Sequence, residues 1–229
     1  MIGYCTLVSE GRGVTLRGKM MCGLPLYAAE VRAGRWENHR LKRGGGYLAR
    51  TGVRRVLAPE GFPYWALLRE RGLERVDPAP LLLRLAPMLV LERLRSGRCP
   101  PERARVVLRG QRAEQLRPAA EALCPFVGTL VLAAPDSEWL ARRLRVNYGM
   151  APQAAETFSH ADLELHFGPD LPRRSGQVLE FWPGAPAPEG AILSVRDLPA
   201  PEVCETLPLL EVLWETGRLL PEQVRVDFA

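Results

Sequence analysis

The sequence predicts an α/β protein that contains a Rossmann-like, doubly wound and mostly parallel sheet beside a smaller N-terminal α/β subdomain. The main observation is the segment Ala104–Met150, in which a short β-branched run and a longer amphipathic run alternate twice. Strands that alternate with helices of this length are joined by right-handed crossovers and form parallel sheets. A second observation is the proline-containing junction Arg98–Glu102, which indicates a boundary between two domains, at 1–99 and 104–229.

The segment 104–150 begins with a predicted strand at Arg105–Leu108, which is too short and too β-branched for a helix. In Leu116–Leu123, apolar residues recur at the spacing of one helix face. Thr129–Leu132 is a second buried-type strand, and Asp136 or Ser137 is expected to cap the next helix with its side-chain oxygen. The apolar face of that helix is predicted to comprise Trp139, Leu140, Leu144 and Tyr148.

The same periodicities predict the remaining elements. Further strands are expected at Tyr4–Val8, Val14–Arg17, Leu26–Val31, Val53–Leu57, Leu73–Val76, Ala161–Phe167, Gln177–Phe181 and Ala191–Val195. Further helices are expected at Arg40–Thr51, Phe62–Arg71, Leu81–Leu94 and Glu202–Thr216. The first of these helices contains the triplet Gly44-Gly45-Gly46, and each glycine costs a helix interior about 1 kcal/mol relative to alanine. Either the helix starts after the triplet, or the glycines allow close packing against a neighbouring helix.

The composition is that of an ordinary globular protein, with 47% hydrophobic and 25% charged residues. The first residues lack the pattern of a secretory leader, and the most apolar stretch, Ala79–Leu91, is interrupted by Arg84 and Pro87. We therefore expect a cytoplasmic protein that does not span a membrane. The five cysteines are scattered, which favours reduced thiols over a disulfide framework or a zinc site. The preference for arginine over lysine is typical of a bacterial protein from a GC-rich genome.

Charge is distributed unevenly along the chain. Residues 1–100 carry a net charge of +10 and residues 101–229 carry −5, which gives the overall value of +5. Much of the excess lies between Arg32 and Arg55, where Glu37 is the only acid. This run is either a surface that follows a phosphate backbone or a solvated helix face that meets the acidic C-terminal half. The second interpretation is favoured, so nucleic acid is not expected as a partner.

Candidate ligand-binding positions follow the predicted strands of the C-terminal half. In an open parallel sheet, ligands bind at the carboxyl ends of the strands. The first of these strands is followed by Arg109 and Gly110, and the second by Asp136. The strand Ala161–Phe167 is followed by Gly168.

The segment Ala104–Val195 resembles the NAD(P)-binding half of proteins of the shikimate dehydrogenase and glutamyl-tRNA reductase type. The resemblance is one of pattern: LVLAAPDSEWLARRL stands at the second strand and helix of those families, and LHFGP at a strand that ends in a small-residue-proline turn. It implies a Rossmann-like fold and NAD or NADP as the cofactor. The sequence departs from the families in the loop after the first strand.

That loop carries the candidate cofactor-binding residues. A dinucleotide loop needs glycines so that backbone N–H groups approach the pyrophosphate, yet here Gly110 is followed by QRAEQ. Arg109 and Arg112 are candidates to bind an anion by charge, and Asp136 is a candidate to accept a hydrogen bond from a ribose hydroxyl. The alternative is that Arg112 is solvated and Asp136 caps a helix. Gly168 completes the candidate site.

No catalytic residue is assigned from the sequence. His160 and His166 would share one face of a strand, but without a third ligand they are interpreted as structural residues rather than metal ligands. The run from Ser159 to Asp162 contains the residue types of a catalytic triad, but neighbours in sequence do not form that geometry.

Three functional hypotheses follow. The leading one is a non-catalytic or ligand-sensing protein that kept a dinucleotide-type scaffold, lost its phosphate loop and binds a dinucleotide or another anionic small molecule. The first alternative is an NAD(P)-dependent oxidoreductase with an unusual loop, for which Lys42 and His39 are weak proton-donor candidates. The second alternative is a nucleic-acid or acidic-partner binder that uses Arg32–Arg55. An apolar sheet edge or helix face would suit a homodimer.

Overall fold

The computed structural model describes residues 1–11, 13–154, 160–174, 176–196 and 204–228. Its internal contacts group the chain into two compact units. The first comprises Met1–Pro78 and Ser194–Gln223, and the second comprises Ala79–Leu193 and Val224–Ala229. The expected boundary between residues 99 and 104 differs from this grouping, because residues 79–99 group with the second unit and residues 194–223 with the first.

The first unit contains a five-stranded mixed sheet in the order β2-β3-β1-β4-β5. Its strands are β1 (Ile2–Val8), β2 (Val14–Met21), β3 (Leu24–Arg32), β4 (Arg55–Leu57) and β5 (Glu74–Arg75). All neighbouring pairs are parallel except β2 with β3. The unit also contains the helices α1 (Glu37–Arg50), α2 (Trp65–Arg69) and α6 (Thr206–Glu215). Its core includes Cys5, Ala29, Val31, Leu41, Leu48, Leu68 and Leu73.

The glycine triplet lies inside α1, so the alternative of a helix that starts after it is wrong. A Cβ atom on Gly44 would lie 3.2 Å from Val31 Cγ2 in β3, and one on Gly45 would lie 3.2 Å from Leu68 Cδ2 in α2. These two glycines therefore let α1 pack closely against the sheet and α2. Gly46 is different, because a Cβ atom there would meet nothing within 4 Å.

The second unit contains a five-stranded parallel sheet in the order β10-β9-β6-β7-β8. Its strands are β6 (Arg105–Arg109), β7 (Thr129–Ala133), β8 (Gln153–Ala154), β9 (Leu163–His166) and β10 (Val178–Glu180). Its helices are α3 (Ala79–Ser96), α4 (Ala113–Leu123) and α5 (Glu138–Tyr148). Within this sheet, strands one to five of the chain lie in the order 5-4-1-2-3, which is that of a Rossmann-like sheet. The predicted fold class is confirmed.

Both faces of this sheet are buried. Val106, Leu108, Leu130, Leu163 and Leu165 are fully buried, and so are Val107, Val131 and Glu164 at the alternate positions. The predicted apolar stripe of α4 is buried. In α5 only Leu140 and Leu144 are buried, so the predicted inclusion of Trp139 and Tyr148 was wrong. The N-cap of α5 is Ser137, whose side chain makes no capping hydrogen bond, which corrects the expected cap.

Several C-terminal elements differ from the prediction. The strand β12 (Val224–Phe228) was not predicted, and it pairs with β11 (Ala191–Val195) in a separate two-stranded sheet. β11 is therefore not part of the parallel sheet. The expected helix Glu202–Thr216 begins at Thr206, after Cys204 and Glu205, which are not helical; its expected residues 202 and 203 lie outside the described residues.

The longest helix is α3, which has 18 residues and contains Pro87. Neither α3 nor any other helix in the described part of the chain has the length and apolar character needed to cross a bilayer.

Candidate functional site

The switch point of the parallel sheet lies between β6 and β9, where successive strands begin to be added in the opposite direction. Arg109 ends β6 and pairs with His166, which ends β9. Gly110 directly follows Arg109, and Gly168 lies two residues after His166. Ligands of open α/β sheets bind outside these carboxyl ends. Three of the five predicted site residues, Arg109, Gly110 and Gly168, therefore lie at the switch point.

Three ionisable side chains, Arg109, Glu164 and His166, form what we call the buried charged cluster. They are 7%, 0% and 2% exposed. Glu164 Oε2 lies 2.9 Å from His166 Nε2 and 3.6 Å from Arg109 Nε. Glu164 Oε1 accepts a hydrogen bond of 3.0 Å from the backbone N–H of Arg174. One carboxylate thus connects the other two members of the cluster.

The strand geometry explains how the cluster forms. Glu164 and His166 are two residues apart in β9, so their side chains point to the same face of the sheet. Arg109 joins them because it is paired with His166 in the neighbouring strand, while Val107 is paired with Glu164. Val107 also packs in a small apolar cluster with Val131. The charged groups are therefore held on an otherwise apolar strand face.

The guanidinium of Arg109 is incompletely satisfied. Its Nε and Nη2 atoms are buried and have no hydrogen-bond partner among the residues that the structure describes. A buried donor without an acceptor costs about 1–3 kcal/mol, and more when it is charged. A carboxylate or phosphate group satisfies a guanidinium through two parallel N–H···O bonds. The arrangement is therefore suited to an anionic oxygen ligand.

The loop after β6 is occupied by one of its own side chains. Gln115 Oε1 accepts hydrogen bonds of 3.1 Å from the backbone N–H groups of both Gln111 and Arg112. In dinucleotide-binding proteins, N–H groups at the start of this helix face the pyrophosphate. A Cβ atom on Gly110 would lie 2.9 Å from Leu116 Cδ2, so this glycine serves close packing. The residues present do not fit a dinucleotide bound in its usual manner.

The two remaining candidates lie elsewhere on the surface of the second unit. Arg112 is exposed at the N-cap of α4. Asp136 is exposed after β7 and has a left-handed backbone, with φ of 53°. The side chain of Gln111 lies over Gly168, about 3.8 Å from the position of a Cβ atom on that glycine. Gln111 therefore bridges the ends of β6 and β9.

Glu164 was missed by the sequence analysis. In the segment LELH, Glu164 stands between two leucines and two residues before His166. A carboxylate inside a buried-type strand is rare unless it is paired, and this was the available signal. The pairing partner Arg109 is 55 residues away in the sequence, so periodicity alone does not identify it.

The other histidine of this region is arranged differently. His160 is exposed, and its Nε2 lies 3.4 Å from Asp162 Oδ1, whereas Asp162 Oδ2 accepts from the backbone N–H of Arg105. Ser159 lies outside the described residues. Within the described ranges, no group of three or more His, Cys, Asp or Glu side chains is arranged to hold a metal ion.

No protein-family model matches the chain, and no curated protein sequence matches it significantly. Among solved structures, the chain is similar to L-tryptophan dehydrogenase from Nostoc punctiforme, with a TM-score of 0.32 and 13% sequence identity. The likeness covers 73% of this chain and 56% of that enzyme, so the chain matches little more than half of its length.

Proposed function

We propose that the protein is a non-catalytic, ligand-sensing protein that binds a small anionic molecule at the switch point of its Rossmann-like unit. The observation that carries this proposal is the buried guanidinium of Arg109, whose Nε and Nη2 lack hydrogen-bond partners within the described residues. A ligand oxygen that replaces the missing acceptor would bind at the carboxyl end of β6, where this fold places its ligands.

The state of the phosphate loop supports a ligand other than a conventionally bound dinucleotide. Gln115 already satisfies the N–H groups of Gln111 and Arg112. A pyrophosphate would have to displace this side chain and would find no glycine-lined approach. A small carboxylate or phosphate at Arg109 needs neither change.

The runner-up is an NAD(P)-dependent oxidoreductase, consistent with the resemblance to the shikimate dehydrogenase and glutamyl-tRNA reductase type. One observation favours it: His166 is held 2.9 Å from the carboxylate of Glu164 at the end of β9. An imidazole oriented by a carboxylate is a typical group for holding or donating a proton. His166 is thus a better proton-donor candidate than Lys42 or His39. In this proposal Arg112 and Asp136 would contact the dinucleotide.

Thermal unfolding with a ligand panel tests both proposals. The panel contains acetate, succinate, inorganic phosphate, ATP, ADP, S-adenosylmethionine, and NAD and NADP in both redox states. A ligand that binds only the folded state stabilises it by about 2.7 kcal/mol at 100 times its dissociation constant. We expect a shift with a small carboxylate or phosphate. A panel without any shift would contradict ligand sensing.

Variants distinguish the two sites. Arg109→Lys keeps the positive charge but removes the bidentate hydrogen-bonding geometry of the guanidinium, so it should abolish the ligand-induced shift in Tm. Arg117→Gln, on the exposed side of α4, should retain that shift. A circular dichroism spectrum equal to that of the parent would show that Arg109→Lys is folded. A shift with NAD(P)H that survives Arg109→Lys but is lost in Arg112→Ala or Asp136→Ala would instead support the oxidoreductase.

A further inference from the structure

We propose that the exposed face of α1 binds single-stranded nucleic acid. This face borders a cleft of about 650 Å³, which we call the α1 cleft. It is lined by His39, Lys42, Arg43, Gly46, Arg50 and Arg71. Five of these six residues come from one stripe of α1, because their spacing follows successive turns of the helix.

The positive charge of the α1 cleft is largely unneutralised. Lys42 pairs with Glu70 at 2.7 Å. In the part of the chain that the structure describes, no acidic side chain lies within ion-pair distance of Arg43, Arg50 or Arg71. Arg55 differs, since it makes two hydrogen bonds, of 2.8 and 2.7 Å, to Glu215. The basic run therefore divides into a paired end at Arg55 and an unpaired helix face.

Two of the unpaired arginines are held in place by one aromatic ring. The guanidinium carbons of Arg43 and Arg50 lie 5.3 and 4.9 Å from the centre of the Tyr47 ring. Arg43 Nε also donates to the Tyr47 hydroxyl, and Arg50 Nε donates to the Gly46 carbonyl oxygen at 3.2 Å. The Nη groups of both arginines are left to donate to phosphate oxygens. The aliphatic stem of Arg71 packs on the helix at Gly45, 3.4 Å from the position of a Cβ atom there. All three charges are thus positioned before any ligand binds.

Gly46 lines the cleft and has no packing role. Unlike Gly44 and Gly45, it would accept a Cβ atom without any contact within 4 Å. A glycine in mid-helix is unfavourable, and one reason to have it is a close approach of a ligand to the backbone. Gly46 lies between Arg43 and Arg50 on the helix surface, so it leaves an open floor between two positive charges.

The surface continues beyond the α1 cleft and includes an exposed aromatic side chain. Its one carboxylate, that of Glu37 among residues 34–39, already accepts hydrogen bonds from the Tyr64 hydroxyl and the Gly34 backbone N–H. A second cleft, of about 540 Å³, is lined by residues 34–39 and shares His39 with the first. Trp36 is 61% exposed there, and the guanidinium carbon of Arg35 lies 5.8 Å from its ring centre. A line of charge beside an aromatic platform is the arrangement that binds single strands, with phosphates on the arginines and a base on the ring.

The length of this surface favours a strand over a single phosphate. From His39 to Arg50 the helix rises about 16 Å, at roughly 1.5 Å per residue. A free phosphate occupies one point on such a line, whereas a strand of several nucleotides contacts all of it. Because duplex bases are stacked on each other, Trp36 would gain a partner only from a single strand.

Fluorescence anisotropy of a labelled 12-nucleotide oligothymidylate with the whole 229-residue chain tests the proposal. If about three phosphates are neutralised, the slope of log affinity against log salt is about −2 for a single strand. Binding should therefore weaken about 20-fold between 50 and 200 mM salt. Arg43→Gln and Arg50→Gln should each reduce the slope by about 0.7. Arg117→Gln, an equal charge change at an exposed position of α4, should leave it unchanged.

Two further variants separate the strand from other anions. Trp36→Leu should weaken oligonucleotide binding about 5-fold or more through the loss of base stacking. Gly46→Gln should block the floor of the α1 cleft and weaken binding, whereas Gly46→Ala should raise Tm by about 2–4 °C and so control for folding.

Four outcomes would overturn the proposal. The first is no anisotropy change at 50 mM salt. The second is an equal loss of oligonucleotide affinity in Arg43→Gln and in the control variant Arg117→Gln. The third is competition by tripolyphosphate as tight as the oligonucleotide, which would indicate a free-phosphate site. The fourth is binding of polyglutamate, or of phosphatidylserine vesicles, that is as tight as binding of the oligonucleotide and is unchanged in Trp36→Leu. Polyglutamate binding of this kind would indicate an acidic protein as the partner, and vesicle binding would indicate a membrane surface.

Discussion

Glu164 and His166 form a buried pair on a single strand, with Glu164 Oε2 only 2.9 Å from His166 Nε2. The same Glu164 oxygen lies 3.6 Å from Arg109 Nε. The pair lies at the switch point of the sheet, so any change in it affects both the core of the second unit and the candidate ligand site.

Glu164→Gln should destabilise the protein strongly. The amide leaves the buried guanidinium of Arg109 without a counter-charge, and breaking a buried pair in this way costs about 3–5 kcal/mol. The matched control is Glu180→Gln in the neighbouring strand, because Glu180 pairs with the exposed Arg173 and should lose only about 0–1 kcal/mol. Urea unfolding measures both. A loss below about 1 kcal/mol for Glu164→Gln would mean that the cluster is not an ionic pair.

Gln115→Ala should have two opposite effects. The N–H groups of Gln111 and Arg112 lose their acceptor, which should lower the unfolding free energy by about 1 kcal/mol. The same freed groups can donate to an anion at the start of α4. We therefore expect the variant, unlike the parent, to be stabilised by millimolar pyrophosphate in a thermal melt. If pyrophosphate changes the Tm of the parent and of Gln115→Ala equally, the Gln115 side chain does not exclude the anion from the start of α4.

Gly128→Ala and Gly46→Ala should shift stability in opposite directions. A Cβ atom on Gly128 would lie 2.4 Å from the carbonyl oxygen of Glu102, so backbone must move, and a loss of about 1–3 kcal/mol or more is expected. At Gly46 nothing is displaced, and alanine should stabilise α1 by about 1 kcal/mol. Denaturant titration of the two variants measures the difference. Destabilisation by Gly46→Ala would contradict the open surface at this residue.

Buried thiols should make the protein sensitive to alkali. Burial raises the pKa of Cys5 from 9.0 to about 12, and burial together with nearby Glu205 does the same for Cys204. Below pH 9 both thiols are protonated in the folded and unfolded states. Above it only the unfolded thiols ionise, so stability falls towards pH 12 by up to about 1.4 kcal/mol per pH unit for each thiol.

Urea unfolding between pH 9 and 10.5 measures this slope. Cys5→Ala should have a shallower slope than the parent, although it also loses some packing. Cys99→Ala, at a half-buried position, should retain the contribution of Cys5. If the unfolding free energy of Cys5→Ala falls with pH as steeply as that of the parent, ionisation of Cys5 does not contribute to the loss of stability in alkali.

The ion pair between Arg55 and Glu215 should be weakly stabilising. Both guanidinium Nη atoms donate to the carboxylate, at 2.8 and 2.7 Å, but the two side chains are partly exposed. A double-mutant cycle with Arg55→Gln and Glu215→Gln should give a coupling free energy of about 0.5–1 kcal/mol that decreases in 1 M salt. A coupling free energy that does not change with salt would show that the two side chains interact through packing rather than through charge.

The parts of the fold that the sequence predicted are those encoded by neighbouring residues. The strands and helices β6, α4, β7 and α5 follow from local periodicity, and Gly149 adopts the left-handed conformation that ends α5. Trp139 was misassigned because its apolar character fits either a core or a surface position, and only the packing of α5 decides between them.

The parts that could not be predicted depend on contacts between distant residues. The pairing of Arg109 with Glu164 follows from strand order, which no local pattern contains. The two-residue strand β8 is too short for any periodicity. Gly46 could not be distinguished from Gly44 and Gly45 in sequence, since their difference is only in what surrounds each Cβ position.

The chain passes between its two units three times, after residues 78, 193 and 223. The first 78 residues therefore wait for the segment 194–223, which a ribosome adds roughly 6–30 s later at about 5–20 residues per second. The second unit likewise lacks β12, including Phe228, whose ring lies 5.1 Å from the guanidinium carbon of Arg93, until residues 224–228 have been added. Each unit is therefore completed only after most of the other has been synthesised, which lengthens the time during which a partly folded unit exposes apolar surface.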